Sequence, residues 1–182
     1  YNGVFISDVV GLGKTYICAL LAKTFKRNSW KLIICPPVLK EYWESVLKEF
    51  DVARCDVESL GKLDKVIAKG TDKYEYVFVD EAHRFRNSDN ESYNMLHQIC
   101  RGKKVILISA TPINNYTSDI KNQLYLFQAK QSGNINGVKN LDGFFRGLES
   151  KLNKFAKGSP EYRKQLHANS EVIRDRLLRE VM

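Results

Sequence analysis

A lysine and a threonine follow two glycines near the start of this chain, in the order Gly11-Leu12-Gly13-Lys14-Thr15. Glycines let backbone N–H groups turn inward around a phosphate, and a following helix adds the positive end of its dipole. The Lys14 ammonium can then reach the β- and γ-phosphates of a nucleoside triphosphate, and the Thr15 hydroxyl can bind Mg²⁺. By itself, the pattern also fits a solvated turn beside the start of a helix.

Two carboxylates stand together farther along the chain, in Asp80-Glu81-Ala82-His83. Asp80 is suited to hold Mg²⁺, directly or through water, and Glu81 is suited to orient or deprotonate a water that attacks the γ-phosphate. We group His83 with these catalytic candidates, in a coupling role rather than as a base, because a lone histidine is more often a hydrogen-bonding residue. An acidic turn after a strand would look the same in isolation.

Two hydroxyl residues follow in Ser109-Ala110-Thr111-Pro112, where they can exchange hydrogen bonds with the acidic pair. A Ser-x-Thr-Pro turn alone carries almost no information. The order of the three stretches within one domain carries the prediction, because three independent coincidences would otherwise have to occur together. We therefore predict that they form one site.

Each stretch follows a short apolar run of the kind that forms a buried strand. Such runs at 4–7, 31–35, 76–79 and 104–109, with a weaker one near 54–58, alternate with helical patterns. This alternation predicts an α/β fold, a three-layer arrangement with helices on both faces of a parallel sheet. Ligands of such folds bind at the carboxyl ends of the strands, where the three stretches would lie.

Helical patterns surround and follow these runs. One covers 14–25, and another follows Pro36-Pro37, where Val38, Tyr42, Val46 and Phe50 recur at every fourth position beside Leu39, Trp43 and Leu47. Beyond Pro112 only helical patterns remain. The last one runs from about Pro160 to Val181 after a capping residue, Ser159, and carries five apolar residues: Leu166, Val172, Ile173, Leu177 and Leu178.

The composition indicates one sizeable domain with an appended helical part, since 43% of the 182 residues are hydrophobic. The four cysteines are far apart and lack metal-ligand spacing, so we expect buried, reduced residues. No apolar run is long enough to cross a bilayer, which predicts a soluble, cytoplasmic protein without a membrane partner. Because the chain starts at Tyr1 and a strand pattern follows at once, we expect a fragment of a longer protein.

The net charge of +8 favours a polyanionic partner such as nucleic acid, although many solvated surfaces are also basic. The surplus is uneven along the chain. Residues 121–182 hold twelve lysines and arginines against six acidic residues, a net charge of +6, and the first 120 residues contribute the remaining +2. A charged helical face is as often merely solvated, so both interpretations of the C-terminal third stay open.

The three stretches resemble motifs I, II and III of superfamily-two helicases, including Asp8 at the position where the general phosphate-loop pattern has glycine. Several further features resemble the Swi/Snf-like branch: Cys35-Pro36-Pro37 followed by Trp43, then Arg84-Phe85-Arg86-Asn87 and Pro112-Ile113-Asn114-Asn115. The resemblance implies a RecA-like ATP-binding lobe over 1–128. It also implies a helical extension or protrusion over 129–182.

This resemblance further implies ATP hydrolysis coupled to movement along double-stranded DNA, with ATP and Mg²⁺ bound between this lobe and a second RecA-like lobe. Gly11 to Thr15 would bind the nucleotide, and Thr15 and Asp80 would bind the Mg²⁺. Ser109 and Thr111 would couple hydrolysis to DNA. Three residues of the loop after the second strand, Pro36, Pro37 and Lys40, would contact one DNA strand, although Lys40 could equally be solvated.

Three positions, Val9, Val10 and Ala110, differ from the residues usual in eukaryotic remodelers, which points to a prokaryotic, nucleoid-associated protein. Two other functions stay open: an RNA helicase of the Asp-Glu-Ala-His type, and a nucleic-acid-binding module gated by ATP without motor activity. The isolated lobe should hydrolyse ATP weakly, because arginines that neutralise transition-state charge would come from the second lobe.

Overall fold

Five parallel strands form one sheet in the computed structural model, which describes residues 2–7, 13–85, 90–109, 117–133, 135 and 137–182. The strands are β1 (Gly3–Ser7), β2 (Trp30–Cys35), β3 (Cys55–Ser59), β4 (Tyr74–Val79) and β5 (Lys104–Ser109). Their order across the sheet is β1-β5-β4-β2-β3. The predicted α/β class is confirmed, and each predicted strand is present within two residues of its expected bounds.

Eight α-helices are present in the described ranges. They are α1 (Lys14–Thr24), α2 (Lys40–Glu49), α3 (Leu63–Ala68), α4 (Glu91–Cys100), α5 (Thr117–Tyr125), α6 (Leu141–Leu152), α7 (Pro160–Ile173) and α8 (Arg179–Val181). Alternate strand residues face opposite layers, so Phe78 packs with α1 and α2, whereas Val77 and Val79 pack with the remaining helices. The inner strands β2, β4 and β5 read as nearly continuous apolar runs because both of their faces are largely buried.

The helix after the second strand begins later than its apolar pattern predicts. A 3₁₀ turn over Pro37–Leu39 precedes α2, so Val38 lies outside the α-helix and is 87% exposed. Tyr42 is also exposed, at 43%, whereas Trp43, Val46 and Leu47 enter the core. The predicted apolar row is therefore correct for Val46 and wrong for Val38, which lies in the turn, and for Tyr42, whose ring meets that of Tyr16 outside the core.

The C-terminal helices pack against the same core as the sheet. The Ser159 hydroxyl accepts a hydrogen bond from the Tyr162 N–H, which confirms the predicted cap of α7. Buried Asn169 donates to the Leu148 carbonyl at 3.0 Å and thereby joins α7 to α6. The helix predicted to continue to Val181 is interrupted by a π-helical turn at Arg174–Leu178. The division of the chain at residue 128 stays a prediction.

The burial of the cysteines agrees in large part with expectation. All four cysteines are free; Cys18, Cys35 and Cys100 are buried as predicted, and Cys55 is partly exposed. Burial, followed by the nearby charge of Asp80, raises the pKa of the Cys18 and Cys35 thiols to about 12, which keeps them protonated and unreactive.

Among the described residues, no helix has both the length and the apolar character needed to span a membrane.

Candidate nucleotide-binding site

The carboxyl ends of β1, β4 and β5 meet at one edge of the sheet. Ser7, the last residue of β1, pairs with Ser109 at the end of β5, and Val79 of β4 pairs with Leu107. The Asp80 N–H donates to the Ile34 carbonyl of β2 at 2.8 Å, so strand pairing continues as far as the first acidic residue. Parallel pairing thus brings the ends of the strands that precede the predicted stretches to a common edge, where α/β folds bind ligands.

Helix α1 begins at Lys14 directly after Gly13, whose backbone is left-handed with φ of +73°. Glycine adopts this conformation without steric cost and has no side chain that could cap the helix. The first N–H groups of α1 lack carbonyl partners within the helix and are suited to an anionic ligand. Residues 8–12 of the predicted phosphate loop, including Gly11 and Leu12, lie outside the described residues.

Asp80 is 8% exposed, and each of its carboxylate oxygens accepts a hydrogen bond. The Trp43 indole N–H donates to Oδ2 at 2.9 Å, and the Glu81 backbone N–H donates to Oδ1 at 2.8 Å. Burial raises the pKa of the Asp80 carboxyl above its usual value, and these two donors and the positive charge of Lys14 oppose the increase. Asp80 is therefore a buried carboxylate whose orientation is set by one side-chain donor and one backbone donor.

Glu81 has a left-handed backbone with φ of +52°, which is unfavourable for a residue with a Cβ by roughly 1–2 kcal/mol. Its conformation is held by Asp80, which accepts from the Glu81 N–H, and by Arg84, whose N–H donates to the Glu81 carbonyl at 2.9 Å. Backbone strain of this kind clusters at functional sites, where surrounding contacts maintain it. The strain sets Glu81 apart from an ordinary acidic turn.

His83 lies between the acidic pair and the end of β5. Its Nδ1 is 2.9 Å from Glu81 Oε2 and 3.5 Å from Ser109 Oγ, the latter a long contact. The imidazole can therefore connect the candidate water-activating carboxylate to the third stretch. Thr111, the other predicted coupling residue, lies outside the described residues.

The predicted nucleic-acid loop follows β2 at the same edge of the sheet. Pro36 is buried and Pro37 is exposed. The Lys40 ammonium is 3.1 Å from Glu58 Oε1, so in this structure it is engaged by β3. A contact between these three residues and nucleic acid stays a prediction.

A sequence profile of the SNF2-related domain family matches residues 44–168. The chain belongs to this family. Its sequence is 28% identical over 157 residues to the uncharacterized ATP-dependent helicase YqhH of Bacillus subtilis, covering 74% of this chain and 28% of YqhH. It is 29% identical over 156 residues to a RAD54-like DNA repair and recombination protein of Drosophila willistoni, covering 63% of this chain and 20% of that protein. The chain thus spans less than a third of these relatives.

Two solved structures share the fold of this SNF2-related domain. The Sulfolobus solfataricus SWI2/SNF2 ATPase core in complex with dsDNA superposes with a TM-score of 0.63 and 19% identity, over 92% of this chain and 38% of that one. The Pyrococcus furiosus Hef helicase domain superposes with a TM-score of 0.54 and 18% sequence identity, over 67% of this chain and 32% of that one. The predicted RecA-like ATPase fold and the predicted Swi/Snf-like branch are both confirmed. The alternative of an RNA helicase of the Asp-Glu-Ala-His type finds no support in these comparisons.

The candidate Mg²⁺ ligands of this SNF2-related domain are the Asp80 carboxylate and the Thr15 hydroxyl. The described ranges contain no group of three or more histidine, cysteine or acidic residues that could enclose a metal. Mg²⁺ does not need such a cage, because it commonly keeps several waters and binds one or two carboxylates together with substrate phosphates. Asp80 retains lone pairs beyond its two hydrogen bonds, and Thr15 lies in the first turn of α1, so both residues fit the role predicted for them.

Trp43 is the residue of this site that the sequence pattern does not reveal. Its position among the apolar residues of α2 predicts a core side chain, and its indole ring is indeed fully buried. A buried indole N–H needs an acceptor, which is the one signal in the sequence that could have prompted a search for a polar partner. That partner lies 37 residues away in Asp80.

Proposed function

We propose that this SNF2-related domain is the ATP-binding lobe of a DNA-dependent ATPase in which hydrolysis drives movement along duplex DNA. The observation that carries the proposal is the buried Asp80 beside strained Glu81 at the end of β4, at the sheet edge where β1 and β5 also end. The family of the chain supports ATP as the nucleotide. The dsDNA in the Sulfolobus solfataricus complex supports the choice of nucleic acid.

Each residue of the site has a distinct task in this proposal. The N–H groups at the start of α1 and the Lys14 ammonium bind phosphate oxygens, while Asp80 and Thr15 hold the metal. Bound Mg²⁺ would neutralise charge on the phosphates. Glu81 orients the attacking water, and His83 links Glu81 to Ser109, so a shift of the third stretch alters the position of the carboxylate.

The experiment that tests ATP hydrolysis replaces Glu81 with Gln in the full-length protein. Glu81→Gln keeps the shape of the side chain but removes its charge, so we expect turnover to fall at least about a hundredfold while ATP binding persists. Glu75→Gln is the matched control, because Glu75 is an exposed residue at the opposite end of β4. Unchanged turnover in Glu81→Gln would refute the assigned role of Glu81.

Stimulation of hydrolysis by different nucleic acids tests the choice of duplex DNA. We expect duplex DNA to increase ATP turnover by the full-length protein more than single-stranded DNA or RNA of equal length. Stronger stimulation by RNA would replace the proposal with an RNA-directed ATPase. ATP binding without turnover under every condition would instead indicate a module gated by ATP.

A further inference from the structure

Trp43 joins helix α2 to the acidic residue at the end of β4. Its side chain is fully buried, and its N–H donates to Asp80 Oδ2 at 2.9 Å. Most of the ring packs in the apolar layer with Val46 and Phe78, and these apolar contacts do not involve the N–H. Packing alone therefore gives no reason for the N–H to be directed at this carboxylate.

The two hydrogen bonds to Asp80 differ in what they can control. The Glu81 N–H belongs to the residue next to Asp80, so it moves with the turn that carries both residues. The Trp43 N–H comes from another element, α2, and therefore fixes the position of the Asp80 carboxylate relative to that helix. Rotation of an aspartate about its terminal torsion is otherwise soft, so a donor from a second element is what selects one orientation.

Helix α2 is a firm support for this donor. Val46 and Leu47 are buried beneath it, and near its first turn Lys40 is paired with Glu58 of β3. The indole itself has no exposed surface and few alternative positions, since protein interiors are close-packed. The N–H is therefore held at a fixed place relative to the sheet edge that carries Asp80.

We propose that Trp43 is a positioning residue that holds the Asp80 carboxylate in the orientation needed to bind Mg²⁺. The inference rests on the proposed function, in which Asp80 is a metal ligand. Donors that orient a metal ligand commonly contribute ten- to a hundredfold to metal affinity. Trp43 would contribute to metal binding through Asp80, without touching metal or nucleotide.

The test measures how strongly Mg²⁺ tightens binding of a non-hydrolysable ATP analogue to the full-length protein. Isothermal titration gives the Kd of the analogue in EDTA and in excess Mg²⁺, and the ratio of the two is the Mg²⁺ enhancement. Trp43→Phe removes the donor. Incorporation of 3-benzothienylalanine at position 43 keeps the fused-ring shape and replaces only the N–H with sulfur, so it remains informative if Trp43→Phe fails to fold.

We expect both changes at position 43 to reduce the Mg²⁺ enhancement about tenfold and to leave the Kd in EDTA unchanged. Trp30→Phe is the matched control, since Trp30 lies at the start of β2 and contacts Lys73 rather than the acidic pair. It should retain the full enhancement. A merely structural role for Trp43 would change the Kd in EDTA as much as the Kd in Mg²⁺.

Asp80→Asn, measured in the same way, separates failure of this inference from failure of the proposed function. If Asp80→Asn loses the enhancement and the benzothienyl variant retains it within about twofold, positioning by Trp43 is wrong and the role of Asp80 stands. If Asp80→Asn also retains the enhancement, Asp80 is not the metal ligand, and both the inference and the proposed metal site are wrong.

Discussion

Left-handed backbone at residues other than glycine occurs at three described positions, Asp51, Arg54 and Glu81. Asp51 and Arg54 lie in the connection between α2 and β3, whereas Glu81 lies at the candidate site. Arg54 also donates to the Asn28 carbonyl and lies over the Trp30 ring, so its side chain compensates for part of its backbone cost. Asp51 is exposed and ends α2, which makes it the simplest position at which to measure the cost.

Asp51→Gly should raise the free energy of unfolding by about 0.5–1 kcal/mol, because glycine adopts a positive φ after a helix without steric cost. Urea unfolding followed by circular dichroism measures the change. Asp72→Gly is the control, because Asp72 is exposed in a turn and does not have positive φ. Glycine at this position should only increase the conformational entropy of the unfolded chain and so lower the free energy of unfolding. Equal effects of both changes would contradict the backbone explanation.

Residue types indicate candidate roles from the sequence, but their partners depend on the fold. Lys14, Asp80 and Glu81 stand out because their neighbours along the chain have the right order. The pairing of Lys40 with Glu58, and that of Trp43 with Asp80, each joins residues that are distant in sequence. Such contacts are fixed by strand order and helix rotation, which apolar spacing does not specify.

At the scale of elements, a partly exposed hydrogen-bond cluster joins β3 to the start of β4 across β2. Asp56 Oδ2 accepts from the Tyr74 hydroxyl at 2.6 Å and from the Lys73 ammonium at 2.7 Å. Burial alone would raise the pKa of the Asp56 carboxyl, but these two donors outweigh it and hold the pKa below its usual value. The ionised carboxylate therefore stabilises the folded state.

Tyr74→Phe should lower the free energy of unfolding by about 1 kcal/mol at pH 7, with a discount already made for the partial exposure of Asp56. Because the folded pKa is lowered, this stabilisation is fully present above the ordinary aspartate pKa and disappears as pH falls through the folded pKa. Unfolding measured from pH 7 to pH 2 should show the difference shrinking at the acid end. Tyr76→Phe, in the same strand, should show no such pH dependence.

Element types follow from the sequence more readily than their ends and faces. Four strands are predicted from continuous apolar runs, and β3, with the sequence CDVES, is predicted from a weaker one. The 3₁₀ turn that displaces Val38 and the π-helical turn at Arg174–Leu178 are not predictable from spacing, since each changes the number of residues per turn locally. Both depend on how the neighbouring helices pack.

At the scale of the whole molecule, the C-terminal third combines a positive net charge with firm attachment to the core. Phe145, Leu148 and Ile173 join the same apolar cluster as the sheet, so the basic residues of α6 and α7 have fixed positions. Lys154, in the connection after α6, and Arg163 and Lys164, in α7, are exposed. Exposed basic side chains on firmly attached elements can contact a DNA backbone, which ties the charge distribution to the proposed function.

Replacing Lys154, Arg163 and Lys164 together with Ala should weaken binding of duplex DNA by the full-length protein. The slope of log affinity against log salt should become shallower by up to about 0.9 for each phosphate contact that is lost. Lys62, Lys65 and Lys69, exposed in and around α3, form a matched control set of equal charge. A larger change in the control set would place the DNA path along α3 instead.

The order of strands across the sheet has a consequence for how the protein assembles. Strand β1 lies at one edge and pairs with β5, so Gly3 meets Val105, about 100 residues later in the chain. Pairings between such distant segments form late, because closing a long loop costs entropy before any contact repays it. During synthesis, Lys14 leaves the ribosome before residues 104–109, so β1 lacks its β5 partner until those residues follow. The candidate nucleotide-binding site therefore cannot be completed until β5 has been made.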